Sequence, residues 1–298
     1  MGHRLPAGGL VPLSYQYHLL MDEDRCHRFQ RAIEKQVPQG GVVLEAGAGT
    51  GILSYFAAQK ARKVYTVERD PAVAAACRQF IKTNGLESRV EVVHGSASEF
   101  VPPEPVDAVI CEMLHVALIN EQQVPVMNAI RRNLTRAFPD HPYVTVPGTT
   151  MNYVQLINEN QNFYGYQTQL VRYAHPALVD PRAIPMSPLV PYWETDFAGL
   201  VNPHVNETVN AEITEDGVVN GVRFLTQAAL YLDEQSMDPA SLIDWFLMWL
   251  VLPIEETRVK AGEILRVNLQ YTPGCSLEEL RITTAPASRP QLEAVVAA

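Results

Sequence analysis

The stretch VVLEAGAGTGIL, residues 42–53, decides the fold. Its first five residues form a short apolar run typical of a buried strand, and an apolar segment typical of a helix begins at its end. Three glycines lie between them, Gly47, Gly49 and Gly51. Glycine allows a tight turn and lets a ligand approach the backbone closely. The stretch therefore predicts a strand, a ligand-binding turn and a helix.

The residues that follow continue this alternation of strands and helices. The apolar patterns predict strands over 42–46, 63–67, 90–93 and 107–111, and helices over 22–35, 52–60, 72–83 and 121–134. Strands that alternate with helices predict a mostly parallel sheet with right-handed crossovers. The first half is therefore expected to be a Rossmann-like α/β domain.

The pattern changes near Pro147. Beyond it come short alternating runs separated by prolines and asparagines, over 152–157, 221–225, 227–232 and 264–271. Such runs are typical of an antiparallel β-barrel or sandwich. We predict two domains: residues 1–147, an α/β domain with an N-terminal helical lid, and residues 148–298, a β-barrel-like domain.

Charge and composition limit the classes of function. A net charge of −10 argues against a nucleic-acid partner and suits a cationic substrate. No apolar run is long enough to span a bilayer and no signal peptide is evident, so we expect a cytoplasmic protein without a membrane partner. Four cysteines without metal-ligand spacing predict reduced thiols and no metal site: Cys26, Cys77, Cys111 and Cys275.

An acidic residue marks the second part of the predicted nucleotide site. Glu68 ends the second strand, about 20 residues beyond the glycines, where a carboxylate can accept both ribose hydroxyls. The alternative is a solvated residue at a strand end. The spacing Gly-x-Gly-x-Gly, preceded by Glu45, resembles motif I of the class I methyltransferases, whose cofactor S-adenosylmethionine carries no phosphate. The resemblance implies that Glu45 and the three glycines contact that cofactor. A dinucleotide such as NAD, which favours Gly-x-Gly-x-x-Gly, is the alternative ligand.

Over most of its length the chain resembles the protein arginine methyltransferases. VLEAGAGTGILSYFAA, residues 43–58, is similar to the cofactor motif of that family, and KVYTVERD, residues 63–70, to the strand that follows it. LMDEDR, residues 20–25, resembles the N-terminal helix that closes over the cofactor. The resemblance implies that Arg25 meets the methionine carboxylate of S-adenosylmethionine. Tyr15 and Tyr17 either lie over the cofactor or pack the N-terminal helix, and Tyr17 is also a candidate substrate contact.

Two glutamates bracket the segment CEMLHVALINE, residues 111–121. In the resembled family such a double-glutamate loop binds the guanidinium group of the acceptor. A planar cation with five donors pairs best with carboxylates that accept bidentate bonds, and alignment with the sulfonium methyl supplies much of the rate. The resemblance implies catalytic roles for Glu112 and Glu121, and His115 is a candidate substrate contact because it lies inside this acidic loop. The alternative is that Glu112 merely ends a strand and Glu121 caps the next helix.

Some positions depart from the family pattern. The threonine-histidine-tryptophan loop of the family falls at residues 243–245, where Asp244 replaces the histidine and Trp245 is kept. Asp244 would add a third, catalytic carboxylate to the acceptor pocket, and Trp245 would contact the substrate. Ser98 stands where a family glutamate accepts a hydrogen bond from the adenine amine, and its hydroxyl can accept the same bond. The family pattern has a methionine and a glycine after the residue that follows its first glutamate. This chain lacks both there and has Met113, Leu114 and His115 after Glu112.

These features predict an S-adenosylmethionine-dependent N-methyltransferase that acts on a guanidinium nitrogen, in a protein arginine or in an arginine-like metabolite. One alternative is a small-molecule methyltransferase with another amine or a hydroxyl acceptor. Another is a non-catalytic module that binds the cofactor. The resemblance also implies a homodimer, with residues 163–194 as a shortened dimerisation arm.

Overall fold

Helices and strands alternate along the first half of the computed structural model, which describes residues 13–175, 178, 180–232 and 242–287. The helices are α1 (Leu13–Met21), α2 (Glu23–Gln36), α3 (Ile52–Ala57), α4 (Pro71–Thr83) and α5 (Gln123–Ala137). The strands are β1 (Val42–Ala46), β2 (Lys63–Glu68), β3 (Val90–His94), β4 (Ala108–Cys111) and β5 (Val144–Val146).

These five strands form one parallel sheet in the order β3-β2-β1-β4-β5. The winding of the chain reverses between β1 and β4, which lie side by side, with Ala46 paired to Cys111 at their carboxyl ends. Every residue of β1 is buried, as expected for a strand that helices cover on both faces. A crevice at the carboxyl ends of strands where the winding reverses is the usual ligand site of such sheets.

Acidic residues fix the start of two of the helices. Asp22 precedes α2 and accepts a hydrogen bond from the Arg25 amide at 3.0 Å. Asp70 precedes α4 and accepts from the amide of Ala72 at 2.7 Å, and Pro71 occupies the first helical position. Such caps satisfy amides that the helix itself leaves unpaired. They account for the agreement between the predicted and observed starts of both helices.

The second half of the described chain consists of antiparallel strands. One sheet has the order β10-β6-β13-β15-β9, with β11 also on β6 and β14 also on β13. A second sheet has the order β12-β16-β17, and β7 forms a hairpin with β8. The strands are β6 (Thr149–Glu159), β7 (Asn162–Phe163), β8 (Tyr166–Gln167), β9 (Arg172–Ala174), β10 (Ala183–Pro185), β11 (Val190–Asp196), β12 (Val205–Glu212), β13 (Gly217–Tyr231), β14 (Ile243–Phe246), β15 (Trp249–Val259), β16 (Ile264–Tyr271) and β17 (Arg281–Pro286).

The predicted fold class, a parallel α/β sheet followed by antiparallel sheets, is confirmed. Parallel pairing ends at Val146 and antiparallel pairing begins at Thr149, while one hydrophobic core extends through both halves. The domain boundary at residue 147 stays a prediction. Within the described residues, no helix combines the length and apolar character needed to cross a membrane.

Two elements differ from the sequence-based expectation. The runs 221–225 and 227–232 belong to one continuous strand, β13, because the polar residue between them, Thr226, is fully buried rather than part of a turn. The helix expected from Glu121 begins at Gln123 instead. Glu121 therefore belongs to the preceding loop.

Candidate active site

The glycine turn, residues 47–51, follows β1 at the carboxyl end of the parallel sheet. Gly47, Gly49 and Gly51 have φ values of +81°, +50° and +82°, in the left-handed region that favours glycine. A Cβ atom on Gly49 would lie 2.6 Å from the side-chain oxygen of Gln16, and one on Gly47 would lie 2.9 Å from Cε of Met113. The turn is therefore in close contact with α1 on one side and with the loop after β4 on another.

Glu68 lies beside this turn at the end of β2. Its carboxylate accepts hydrogen bonds from the Gly49 amide at 3.1 Å and from the Asp70 amide at 2.9 Å, one on each oxygen. Each carboxylate oxygen can accept a second bond, so a pair of hydroxyls can still bind. Ser98, in the loop after β3, is partly buried at the same end of the sheet. The structure thus brings the predicted cofactor residues of three neighbouring strands to one edge.

Glu45 is in the protein interior beneath the turn. Its carboxylate accepts hydrogen bonds from the hydroxyls of Ser54 and Thr66, and only 1% of the residue is exposed. Burial raises the pKa of Glu45 to about 7, although both hydroxyls oppose the shift. These contacts join β1, β2 and α3, so the side chain supports the turn from below rather than facing the crevice.

Arg25 places a fixed positive charge at the crevice. It is 3% exposed, forms an ion pair with Glu112, and lies 5.4 Å from the centre of the Phe29 ring and 5.8 Å from that of Trp245. Burial opposes the charge, but Glu112 outweighs it and raises the pKa of Arg25 above its ordinary value. Within the described residues its buried Nε has no hydrogen-bond partner. The guanidinium therefore has a donor left for another acceptor.

The acceptor loop, residues 112–121, begins with Glu112 directly after β4 and ends with Glu121. Burial raises the pKa of Glu121 to about 8, the charge of Glu112 adds to this, and Arg25 opposes it. The two carboxylates are thus close enough to repel each other. The residue that precedes α5 is Gln122, and no side chain in the described part of the chain caps this helix. The interpretation of Glu121 as a helix cap is therefore wrong.

Three residues of the acceptor loop have left-handed backbones without being glycine. Ala117, Leu118 and Asn120 have φ values of 59°, 53° and 62°. Each such residue costs about 1–2 kcal/mol, so the surroundings must impose the conformation. They do so through hydrogen bonds to the second half of the chain: the Ala117 amide to the Thr226 hydroxyl (2.8 Å), the Gly274 amide to the Leu118 carbonyl (2.8 Å), and the Asn120 amide to the Cys275 carbonyl (2.7 Å).

Gln123 holds the start of the acceptor loop, and sequence reasoning missed it. Its side-chain oxygen accepts from the Met113 amide at 2.9 Å, and its side-chain nitrogen donates to the Cys111 carbonyl at 2.9 Å. The residue is completely buried. Its one signal in the sequence is a polar side chain on the buried face of α5. Gln123 therefore fixes the residues on both sides of Glu112.

His115 links the acceptor loop to β9. Its Nδ1 lies 3.1 Å from the Val116 carbonyl, which can only accept, so Nδ1 carries the proton. Nε2 then has one lone pair, which can accept from the Asn120 side-chain nitrogen at 3.3 Å or from the Tyr173 hydroxyl at 3.2 Å. Burial lowers the pKa of His115, in keeping with a neutral ring.

Asp244, expected in the acceptor pocket, has both carboxylate oxygens engaged elsewhere. One contacts a guanidinium nitrogen of Arg28 at 3.3 Å, and the other accepts from the Gln227 side chain at 2.7 Å. The same Arg28 nitrogen also donates to the Asp244 carbonyl at 2.8 Å. Asp244 thus ties α2 to β13 and β14. Its neighbour Trp245 faces the crevice side, since it packs against Phe29 and Arg25.

The tyrosines of α1 differ in position. Burial, followed by the charges of Glu121 and Glu112, raises the pKa of Tyr15, so this side chain lies near both carboxylates. Tyr17 is 60% exposed and its ring contacts His18. With Gln16 against Gly49, α1 covers the glycine turn and presents Tyr15 toward the acceptor loop.

Known proteins are similar to this chain in sequence and in fold. A family model described as a methyltransferase domain matches residues 43–137. An uncharacterized protein of Methanocaldococcus jannaschii, MJ1452, is 31% identical over 268 residues, which cover 90% of this chain and 95% of that protein. The histone-arginine methyltransferase CARMER of Anopheles gambiae is 39% identical over 115 residues, 38% of this chain but 18% of its own length.

Two solved structures share the fold over nearly the whole chain. The Trypanosoma brucei PRMT1 enzyme-prozyme heterotetrameric complex with AdoHcy gives a TM-score of 0.71 at 21% identity, covering 94% of this chain and 96% of that one. Arabidopsis thaliana protein arginine methyltransferase 10 gives a TM-score of 0.72 at 18% identity, covering 93% and 98%.

Proposed function

We propose that this chain, which belongs to one family with the uncharacterized protein MJ1452 and contains a methyltransferase domain, is a protein arginine methyltransferase-like enzyme that methylates a guanidinium nitrogen held by Glu112 and Glu121. One observation carries the proposal. The acceptor loop starts directly after β4, beside the glycine turn after β1, and Met113 packs against Gly47. Two carboxylates thus border the predicted cofactor site.

The residues at the crevice fit S-adenosylmethionine. The left-handed glycine turn lets a ligand approach the backbone, and Glu68 retains acceptor capacity for the two ribose hydroxyls. Arg25 is a buried cation whose Nε lacks a partner in the described part of the chain, which suits the methionine carboxylate. When bound, this cofactor supplies an electrophilic methyl group on a sulfonium. Ser98 is the proposed contact of the adenine amine.

Glu112 and Glu121 have different proposed tasks toward the acceptor. Glu112 accepts hydrogen bonds from the guanidinium and positions it, as it already pairs with the guanidinium of Arg25. The pKa of Glu121, about 8, keeps a proton on this group at neutral pH until a cation arrives beside it. Acceptor binding then releases that proton. As the new carbon–nitrogen bond forms, the attacking nitrogen loses a proton, and the Glu121 carboxylate takes it.

A methyl-transfer assay with paired substrates tests this proposal. The protein is incubated with isotopically labelled S-adenosylmethionine and a peptide that contains arginine, the same peptide with lysine instead, or free arginine, and products are identified by mass spectrometry. We expect labelled arginine and no labelled lysine. The two arginine arms distinguish a protein acceptor from a metabolite.

Variants of the acceptor loop complete the assay. Glu121→Gln should lower turnover at least about 100-fold, because it removes both the charge and the proton acceptor, with S-adenosylhomocysteine affinity nearly kept. Glu212→Gln, which changes an exposed glutamate of β12, is the matched control. Methylation of the lysine peptide, or undiminished turnover of Glu121→Gln, would contradict the proposal.

We further propose that residues 1–147 bind the cofactor and that residues 148–298 complete the acceptor site and support a homodimer. The hairpin of β7 and β8 exposes Tyr164 completely and Tyr166 by 74%, and Leu170 beside it by 63%. An apolar projection of this kind favours contact with another protein surface. Sedimentation equilibrium should give twice the mass of the chain. A monomer at micromolar concentration would reject this part.

A further inference from the structure

We propose that Thr226 of β13 is a positioning residue for the acceptor, because its hydroxyl holds the acceptor loop from the second half of the chain. This inference rests on the proposed function of the loop. Thr226 is fully buried and accepts a hydrogen bond from the Ala117 amide at 2.8 Å. Ala117 lies between Glu112 and Glu121, so Thr226 acts on the geometry of both carboxylates without touching either.

A chain of buried hydrogen bonds fixes the orientation of this hydroxyl. Thr226 donates its single hydroxyl proton to the side-chain oxygen of Asn152 on β6, at 2.7 Å. Its lone pairs are therefore left to face Ala117. The Asn152 side-chain nitrogen in turn donates to the Trp193 carbonyl on β11 at 3.1 Å. The position of the Thr226 oxygen is thus set by three strands, and that oxygen sets the position of Ala117.

The backbone of Ala117 needs such a partner. Alanine at a φ of 59° is unfavourable, and Ala117 is itself fully buried. Without the Thr226 hydroxyl, its amide would lie buried and unpaired. The simplest relief is rotation of the loop backbone toward the right-handed region, which would change the separation of Glu112 and Glu121. The glycine turn and Glu68 have no contact with Thr226 among the hydrogen bonds of the described residues, so cofactor binding should be spared.

Three variants test this. Thr226→Val keeps the shape and removes the hydroxyl, and Thr226→Ser keeps the hydroxyl. Thr150→Val is the matched control, because Thr150 is also a fully buried threonine of the same sheet, and its hydroxyl pairs with Thr195 at 2.7 Å, away from the acceptor loop. The measurements are hydrogen exchange at the Ala117 amide, kcat and KM for an arginine peptide, and calorimetric affinity for S-adenosylhomocysteine.

For Thr226→Val we expect faster exchange at Ala117 and a loss of about tenfold or more in kcat/KM for the peptide. Cofactor affinity should stay within about twofold. In Thr226→Ser, the exchange rate at Ala117 and the kcat/KM for the peptide should both return toward the values of the unaltered protein. Unchanged Ala117 exchange, failure of serine to restore it, or an equal loss in Thr150→Val would overturn the inference. If the unaltered protein methylates no arginine, the proposed function fails, and Ala117 exchange alone still decides whether Thr226 tethers the loop.

Discussion

The glycine turn and the acceptor loop follow neighbouring strands of one sheet, but they are held in different ways. The turn takes its shape from its own glycines and from Glu68, which accepts a hydrogen bond from the Gly49 amide nineteen positions earlier in the chain. The acceptor loop has no glycine, and its left-handed residues are held by Thr226, Gly274 and Cys275, which lie far along the chain. The cofactor half of the crevice is thus built locally, and the acceptor half depends on tertiary contacts.

This difference separates the two binding functions. Substitutions near the glycine turn should weaken cofactor binding and leave the acceptor loop intact. Substitutions that release the acceptor loop should do the reverse, even when they lie in the second half of the chain. The following experiments test that separation, from the largest expected effect to the smallest.

Glu68→Ala should lower the affinity for S-adenosylhomocysteine about 100-fold, because the carboxylate proposed to accept two ribose hydroxyl bonds is lost. Isothermal calorimetry measures this affinity. Hydrogen exchange at Ala117 should remain as in the unaltered protein, since the Glu68 carboxylate accepts from the Gly49 and Asp70 amides and, among the described residues, has no hydrogen bond to the acceptor loop. Unchanged cofactor affinity would refute the ribose assignment.

Gln123→Leu should lower kcat/KM for an arginine peptide about tenfold, since the Met113 amide and the Cys111 carbonyl both lose their partner. Cofactor affinity should change less than the kinetic constant. Gln79→Leu, on the exposed face of α4, is the control for adding an apolar side chain to a helix. A loss of cofactor affinity equal to the loss in kcat/KM would show that the two halves of the crevice are not independent.

Glu45→Gln should change the pH dependence of stability. The folded protein holds the Glu45 proton up to about pH 7, whereas the unfolded chain releases it near 4.5. The unfolded state therefore binds fewer protons between these values, and the free energy of unfolding falls as pH rises through that window. Glutamine should remove about 1–3 kcal/mol of this fall in urea titrations at pH 5 and pH 8. An unaltered slope would show that Glu45 is ionised in the folded protein.

Local patterns in the sequence predict the glycine turn better than the acceptor loop. The strand over 42–46, the glycine turn and the position of Glu68 depend on neighbouring residues, and each is observed where its pattern indicates. The two acidic ends of the acceptor loop are recognisable too, through the resemblance to a family. Its left-handed backbone is not, because alanine, leucine and asparagine carry no preference strong enough to indicate it.

Contacts between distant residues account for the rest. Nothing adjacent to Thr226 or Gln123 indicates that these side chains pair with the acceptor loop. The start of α5 differs from the sequence-based expectation because of another distant contact. The Gln122 side chain, just before the helix, donates to the Gly274 carbonyl at 2.9 Å. Asp244 was expected to face the acceptor, but Arg28, on α2, forms an ion pair with it. Local periodicity cannot predict an ion pair between two residues more than two hundred positions apart.

The tether between Ala117 and Thr226 has a consequence for biosynthesis. These residues are 109 positions apart, so the first half of the chain leaves the ribosome well before the strand that shapes its acceptor loop. N-terminal segments can fold while synthesis continues, and the parallel sheet contains all of its strands by Val146. A nascent chain can therefore complete its sheet early, but it gains a shaped acceptor loop only after Thr226 and Cys275 have been added. Methylation competence thus arrives late in translation.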